Sequence, residues 1–187
     1  ATDMITFTRA SGGTALRKIS YGTELVTNGT FDSNTNDWTA SNSTLSVDSN
    51  KLKVTSTGNF GHAEQDITTV SGKVYLVTGN YIAGDIDGYV QIEDINGGGT
   101  IYSDFSNYYQ TDKTVSVFFT AVSNSTRIAL YNRYGSSGNF NFWDNVSVKE
   151  VLYDQADGTL QLFNHPANTP RIEYDADGTV KGLLIEE

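Results

Sequence analysis

Short apolar–polar alternations of period two, each closed by a Gly, Asn, Asp or Ser turn, run through most of this chain and constrain its fold more than any other feature. Successive side chains on a strand point to opposite faces, so such a run fits a half-buried strand and does not suit a helix. In residues 44–55, Leu45 and Val47 share a face, and Leu52 and Val54 follow a turn at Ser49-Asn50. In residues 61–68, Ala63, Gln65 and Ile67 oppose His62, Glu64 and Asp66. Residues 73–83 carry Val74, Tyr75, Val77, Tyr81 and Ile82, and in residues 114–122 Val115, Val117 and Phe119 form an apolar stripe. Residues 89–95 set Val90 and Ile92 against Tyr89, Gln91 and Glu93; residues 126–134 set Ile128 and Leu130 against Arg127, Ala129, Tyr131 and Arg133. In residues 140–151, Val146 and Val148 point inward, whereas Gly97-Gly98-Gly99 and Gly135-Ser136-Ser137-Gly138 read as exposed loops. With no stretch at the 3.6-residue helical period, the pattern predicts an all-β antiparallel sandwich of jelly-roll type.

The two ends read differently. Residues 152–187 contain two Asp-Gly steps, Asp157-Gly158 and Asp177-Gly178, each flanked by alternating residues. Asp-Gly is a hairpin signal because glycine tolerates the positive φ of a tight turn. Two hairpins are expected here, paired with a strand in the N-terminal flank. The expected organisation is therefore a β unit made from residues 1–23 and 152–187, with a sandwich over residues 24–151 inserted between them. The start at Ala1 and the stop after Leu183-Leu184-Ile185-Glu186-Glu187 read as a fragment of something longer. That apolar end asks for cover, which predicts assembly as a homo-oligomer, a trimer.

Composition removes several function classes. There is no cysteine, so disulfides, Cys-ligated zinc and thiol catalysis are excluded. No apolar run approaches the roughly 18 residues that suggest a membrane span, so membrane insertion is not expected. Twelve basic residues are scattered among twenty-two acidic ones, for a net charge of −10, whereas phosphate-backbone binding needs clustered Lys and Arg. No nucleic-acid partner is expected. The chain lacks a Gly-x-Ser-x-Gly nucleophile elbow, and its carboxylates read as turn residues, so no enzymatic activity is expected.

Two resemblances narrow the reading. Glu24-Leu25-Val26-Thr27-Asn28-Gly29-Thr30-Phe31-Asp32, Trp38, Ala63-Glu64-Gln65-Asp66-Ile67, Gly72-Lys73-Val74-Tyr75 and Phe142-Trp143-Asp144-Asn145-Val146-Ser147-Val148 make residues 24–151 resemble the carbohydrate-binding jelly rolls of families four, nine and twenty-two. In the flanks, Thr6-Phe7-Thr8-Arg9-Ala10-Ser11, Pro170-Arg171-Ile172-Glu173-Tyr174-Asp175 and Gly182-Leu183-Leu184-Ile185-Glu186-Glu187 resemble a module of tailed-phage virion proteins. Together they imply a phage tail or capsid surface protein that contacts other virion proteins and adheres to host-surface carbohydrate. The alternatives are a carbohydrate-binding module of a secreted glycan-degrading enzyme, or a purely structural decoration domain.

The sugar-binding resemblance also implies one structural Ca²⁺, with Asp32 and Asp144 at the ligand positions and carbonyls near the Asn50-Lys51 turn completing a shell of six to eight hard oxygens. For the glycan itself, sugars need flat aromatics against their C–H faces and polar groups for their hydroxyls. The residues opposite the apolar stripes supply both types: Tyr89, Gln91 and Glu93; Tyr131 and Arg133; His62 and Glu64. If their strands are neighbours in one sheet, these seven form a row of rings, amides and charges. Trp38 and Trp143 are expected to pack in the core or at its rim.

Overall fold

The computed structural model describes residues 13–134, 136–165, 171–175 and 177–184. Its strands are β1 (Gly13–Glu24), β2 (Thr39–Ser41), β3 (Ser43–Val47), β4 (Leu52–Ser56), β5 (His62–Thr68), β6 (Val74–Ile82), β7 (Gly88–Asp94), β8 (Gly99–Ser103), β9 (Lys113–Thr120), β10 (Ser125–Asn132), β11 (Phe140–Tyr153), β12 (Thr159–His165), β13 (Arg171–Tyr174) and β14 (Val180–Leu184), with one 3-10 turn at Phe105–Asn107. Residues fall into two compact units, Thr23–Glu150 and the described parts of 1–22 with 151–187.

Thr23–Glu150 is an antiparallel β-sandwich. One sheet has the order β3-β4-β11-β6-β9 and the other β2-β5-β10-β7-β8. Leu52, Val54, Tyr81, Trp143 and Val148 from the first pack with Ile67, Val90, Ile92, Ile128 and Leu130 from the second in one apolar cluster, which Trp38 joins. The predicted stripe Val115, Val117 and Phe119 lies in that core. The Ser49-Asn50 turn is a two-residue hairpin: both residues have left-handed φ, 53° and 57°, and Asp48 and Lys51 exchange backbone hydrogen bonds.

The motif at the start of the sandwich has a packing explanation. The Val146 amide donates to the Gly29 carbonyl at 2.9 Å, and a Cβ on Gly29 would lie 1.9 Å from the Val146 oxygen. Phe31 is fully buried against Trp38, whose Nε1–H donates to the Thr27 carbonyl. Gln65 holds the same loop with its amide, donating to Thr27 O and Asp37 O and accepting from Thr27 N. The Glu24 carboxylate accepts from the amides of Val26 and Val148 and from the Ser147 hydroxyl, tying the opening of the sandwich to β11.

Three expectations are corrected. Gly99 opens β8 instead of lying in a loop, because β7 offers it a partner strand. The Asp157-Gly158 step does not close a two-strand hairpin: β12 pairs with β1, in register Gly13 to His165 through Ile19 to Thr159. Tyr89 and His62, 4% and 8% exposed, are not open to solvent, because neighbouring rings cover them. The second step, Asp177-Gly178, does close a hairpin, β13–β14, with Gly178 at φ 84°. In the flanking unit, Asp154 accepts from the Arg17 guanidinium and from the Tyr174 hydroxyl. The Thr6–Ser11 motif, Pro170, the Ile185-Glu186-Glu187 end and the side chains of Leu183 and Leu184 lie outside the described residues, and with them the basis for the trimer.

Gly29→Ala is expected to overpack the loop against β11 and cost about 1–3 kcal/mol, read as a melting midpoint lowered by several degrees. Gly58→Ala, where an added Cβ meets nothing within 4 Å, is expected to leave the midpoint unchanged. Equal midpoints for the two variants would contradict the close approach.

Candidate functional site

The outer face of the second sheet is built by β10, which pairs with β5 on one side and β7 on the other. Ile128 and Leu130 point into the core, so Arg127, Ala129 and Tyr131 point out, and the register places their cross-strand neighbours beside them. The first row is His62, Tyr131 and Tyr89. The second is Thr39, Glu64, Ala129, Gln91 and Ser103. The third is Asp66, Arg127 and Glu93.

The first row is an aromatic ladder. His62 stacks on Tyr131 at 4.1 Å, Tyr131 stacks on Tyr89 at 4.7 Å with the rings 7° from parallel, and Phe105 meets Tyr89 edge-on at 5.5 Å. His62 is fixed at both nitrogens, by the Phe60 carbonyl and by Glu64. Stacking occupies the ring faces with one another, which is why Tyr89 is buried although it lies on the outer side. The ladder presents ring edges and hydroxyls, and its half-buried middle member, Tyr131, is the accessible one. Burial, reinforced by Glu93 and Glu64, pushes the Tyr131 phenol up to about 12. Burial likewise raises Tyr89.

The third row centres on Arg127, which grips Asp66 through Nε and Nη2 at 2.7 and 3.1 Å and pairs with Glu64 at 3.0 Å. The hydrogen bond to Asp66 holds its charge firmly, raising its pKa. Gln91 donates to Glu93 alongside. A recess lies on either side of Arg127. One, of about 350 Å³, is lined by Thr27, Asp37, Thr39, Glu64 and Asp66; the other, of about 220 Å³, by Glu93, Asp94, Gly98 and Thr100. Arg127 was not singled out from the sequence, although its period matches that of Tyr131, because its partners are on another strand.

At the end of the first row lies a second ring cluster. Phe60, Phe105 and Tyr134 meet with centroids 5.1–6.2 Å apart, and Arg133 lies over Tyr108 at 3.5 Å. Thus His62, Glu64, Tyr89, Gln91, Glu93 and Tyr131 share one face, and Arg133 stands at its rim among loop aromatics. Phe105 and Tyr108 arrive from the segment after β8, which carries no sequence signal for this position.

Of the expected calcium ligands, Asp32 is exposed and accepts from the Thr30 hydroxyl, and Asp144 accepts from the Asn145 amide and Nδ2. Asp144 and Lys51, next to Asn50, line one recess with Asn80 and Asp112. Among the described residues no three His, Cys, Asp or Glu side chains gather to hold a metal. The chemistry is that of hard oxygens, but the side chains do not make up a shell without backbone carbonyls.

No protein-family model matches the chain, and no curated protein does. Solved structures match it through the fold. A CBM4 structure superposes with a TM-score of 0.54 at 17% identity, over 67% of this chain and 99% of that one. The structure of TmCBM61 in complex with β-1,4-galactotriose gives 0.52 at 15% identity, over 68% and 98%. The N-terminal cellulose-binding domain from Cellulomonas fimi β-1,4-glucanase C gives 0.50 at 17% identity, over 67% and 96%. The shared feature is the jelly-roll β-sandwich of carbohydrate-binding modules.

Raised phenol pKa values have a consequence for stability. The folded state favours the neutral Tyr131 phenol, so the stabilisation is complete below the unfolded value of about 10 and is lost as pH rises towards about 12. Melting midpoints are expected to fall over that window, and less steeply in Tyr131→Phe. Parallel curves for the two proteins would show that the phenol is not held in the ladder.

Proposed function

We propose that the sandwich is a non-catalytic carbohydrate-binding module that recognises glycan through the outer face of the sheet β2-β5-β10-β7-β8. The observation that carries this reading is the co-registration of three polar and aromatic rows on one sheet face, with a recess on each side of Arg127. Glu64, Asp66, Gln91, Glu93 and Arg127 offer donors and acceptors to sugar hydroxyls, and the Tyr131 edge and the exposed Tyr134 ring offer apolar contact to C–H faces. Fold neighbours that are carbohydrate-binding modules, one of them with a bound galactotriose, support the same class of ligand.

The chain's place is part of the proposal too: the surface of a tailed-phage virion, where the flanks join other virion proteins and many weak sites act together by avidity on host glycan. The flank motifs support it. The fold neighbours support a module of a glycan-degrading enzyme equally well, and the flanks are what favour the virion.

A glycan array probed with the multimerised protein is expected to give a defined set of hits, weakened about tenfold or more by Tyr131→Ala with Gln91→Ala, a loss in the range expected for removed interface anchors. Hits that persist in the double variant would move the site elsewhere, and an array with no hits would leave a structural decoration role.

The proposal retains a structural calcium ion at Asp32, Asp144 and the Asn50 turn. An ion bound only to the native state stabilises it by about 2.7 kcal/mol at a hundredfold excess over Kd, so EDTA is expected to lower the melting midpoint of calcium-loaded protein. An unchanged midpoint would remove the ion.

A further inference from the structure

In a chain with twelve basic and twenty-two acidic residues, an arginine has many carboxylates to choose from. Arg127 is neutralised by Asp66 and Glu64. Arg133, six positions further on and just past the end of β10, is not. Among the described residues its side chain makes no hydrogen bond and no ion pair, and its Nε is buried without a partner. Rings surround it instead: its guanidinium lies 3.5 Å from the centroid of Tyr108, 4.9 Å from Tyr134 and 5.1 Å from Phe105. Rings hold a cation by their faces but cancel none of its charge, and they leave its in-plane N–H donors unfilled.

The backbone is arranged to keep those rings in place. Phe60 and Tyr134 both sit at left-handed φ, 57° and 52°, a region that bulky side chains avoid, and their rings meet at 5.1 Å. On the other side, Asp104 accepts hydrogen bonds from the hydroxyls of Tyr102 and Tyr109 and anchors the segment that carries Phe105 and Tyr108. Tyr109 and Gly88 exchange backbone hydrogen bonds at 2.7 and 3.0 Å, and the Arg133 amide donates to the Asp87 carbonyl at 2.7 Å. Tyr134 is 56% exposed, so the cluster opens to solvent.

We propose that Arg133, framed by Phe105, Tyr108 and Tyr134, is a subsite for an anionic group, carboxylate or sulfate, on the glycan held by the neighbouring rows. The inference rests on the glycan-binding reading and specifies its ligand class. A guanidinium fork makes paired, charge-assisted hydrogen bonds to such oxyanions, and the exposed ring of Tyr134 takes the C–H face of the same sugar. The other end of the face excludes a second acid, because Glu64, Asp66 and Glu93 surround Arg127 there. An acidic residue of the glycan is therefore held at the Arg133 end, and the chain is oriented along β10.

The test is affinity electrophoresis of the full chain through gels containing polygalacturonate, sulfated galactan or neutral galactan. Retardation by one or both acidic polymers beyond the neutral one is expected; which acidic polymer retards distinguishes carboxylate from sulfate. Arg133→Gln is expected to weaken acidic binding about tenfold, as loss of a charged hydrogen-bond pair implies, and to change neutral binding less than twofold. Arg133→Lys, which keeps the charge without the fork, is expected to fall between, and melting midpoints establish that both variants fold. Acidic binding unchanged in Arg133→Gln overturns the subsite. Retardation by neutral galactan alone overturns it while leaving the glycan-binding module intact, and retardation by none of the polymers counts against both.

Discussion

Everything on the candidate face depends on the double pairing of β10. A strand paired on both sides in antiparallel register fixes each outward residue between two cross-strand neighbours, so one alternation determines three rows at once. Ile128 and Leu130 set the register by burying themselves completely. A one-residue slip would turn both into solvent and carry Arg127 and Tyr131 into the core, which no compensating contact would offset.

That pairing makes the face chemically uneven. In the ladder row, ring–ring stacking turns edges and hydroxyls outward, and a ring open to solvent lies at the rim, where Tyr134 is exposed. In the Arg127 row, cation and carboxylates satisfy one another, giving a rigid hydrogen-bonding surface with an acid excess. Arg133 lies beyond both, with its charge uncompensated by any described carboxylate. Rigid donors and acceptors favour binding because little side-chain freedom is lost when a ligand docks.

The strands and their inward residues were legible in the sequence, because burial of one face writes period two directly into the residue order: Val115, Val117 and Phe119 are an example. The Ser49-Asn50 turn was legible for a local reason, its tolerance of positive φ. Features that depend on distant partners were not. Alternation assigns Tyr89 to the outer side but is silent about the Tyr131 and Phe105 rings that cover it. Glu24 reads as one acid among many until β11 brings Val148, 124 positions away, to its carboxylate. Asp157-Gly158 marks a turn correctly, yet a turn signal does not say whether the strands on either side of it pair with each other, and here β12 pairs with β1 instead of with β11. The segment that carries Phe105 and Tyr108 has no period of its own; Asp104 and the Gly88–Tyr109 bridge position it.

The proposed recognition of glycan by the rows centred on β10 makes the backbone of those strands its own reporter. Backbone amide chemical shifts, followed during titration with a glycan that binds, locate the contact residue by residue. The largest perturbations are expected on Glu64, Gln91, Glu93, Arg127, Ala129 and Tyr131. Perturbations confined to the other sheet, or to the recess around Lys51, Asn80 and Asp144, would contradict it.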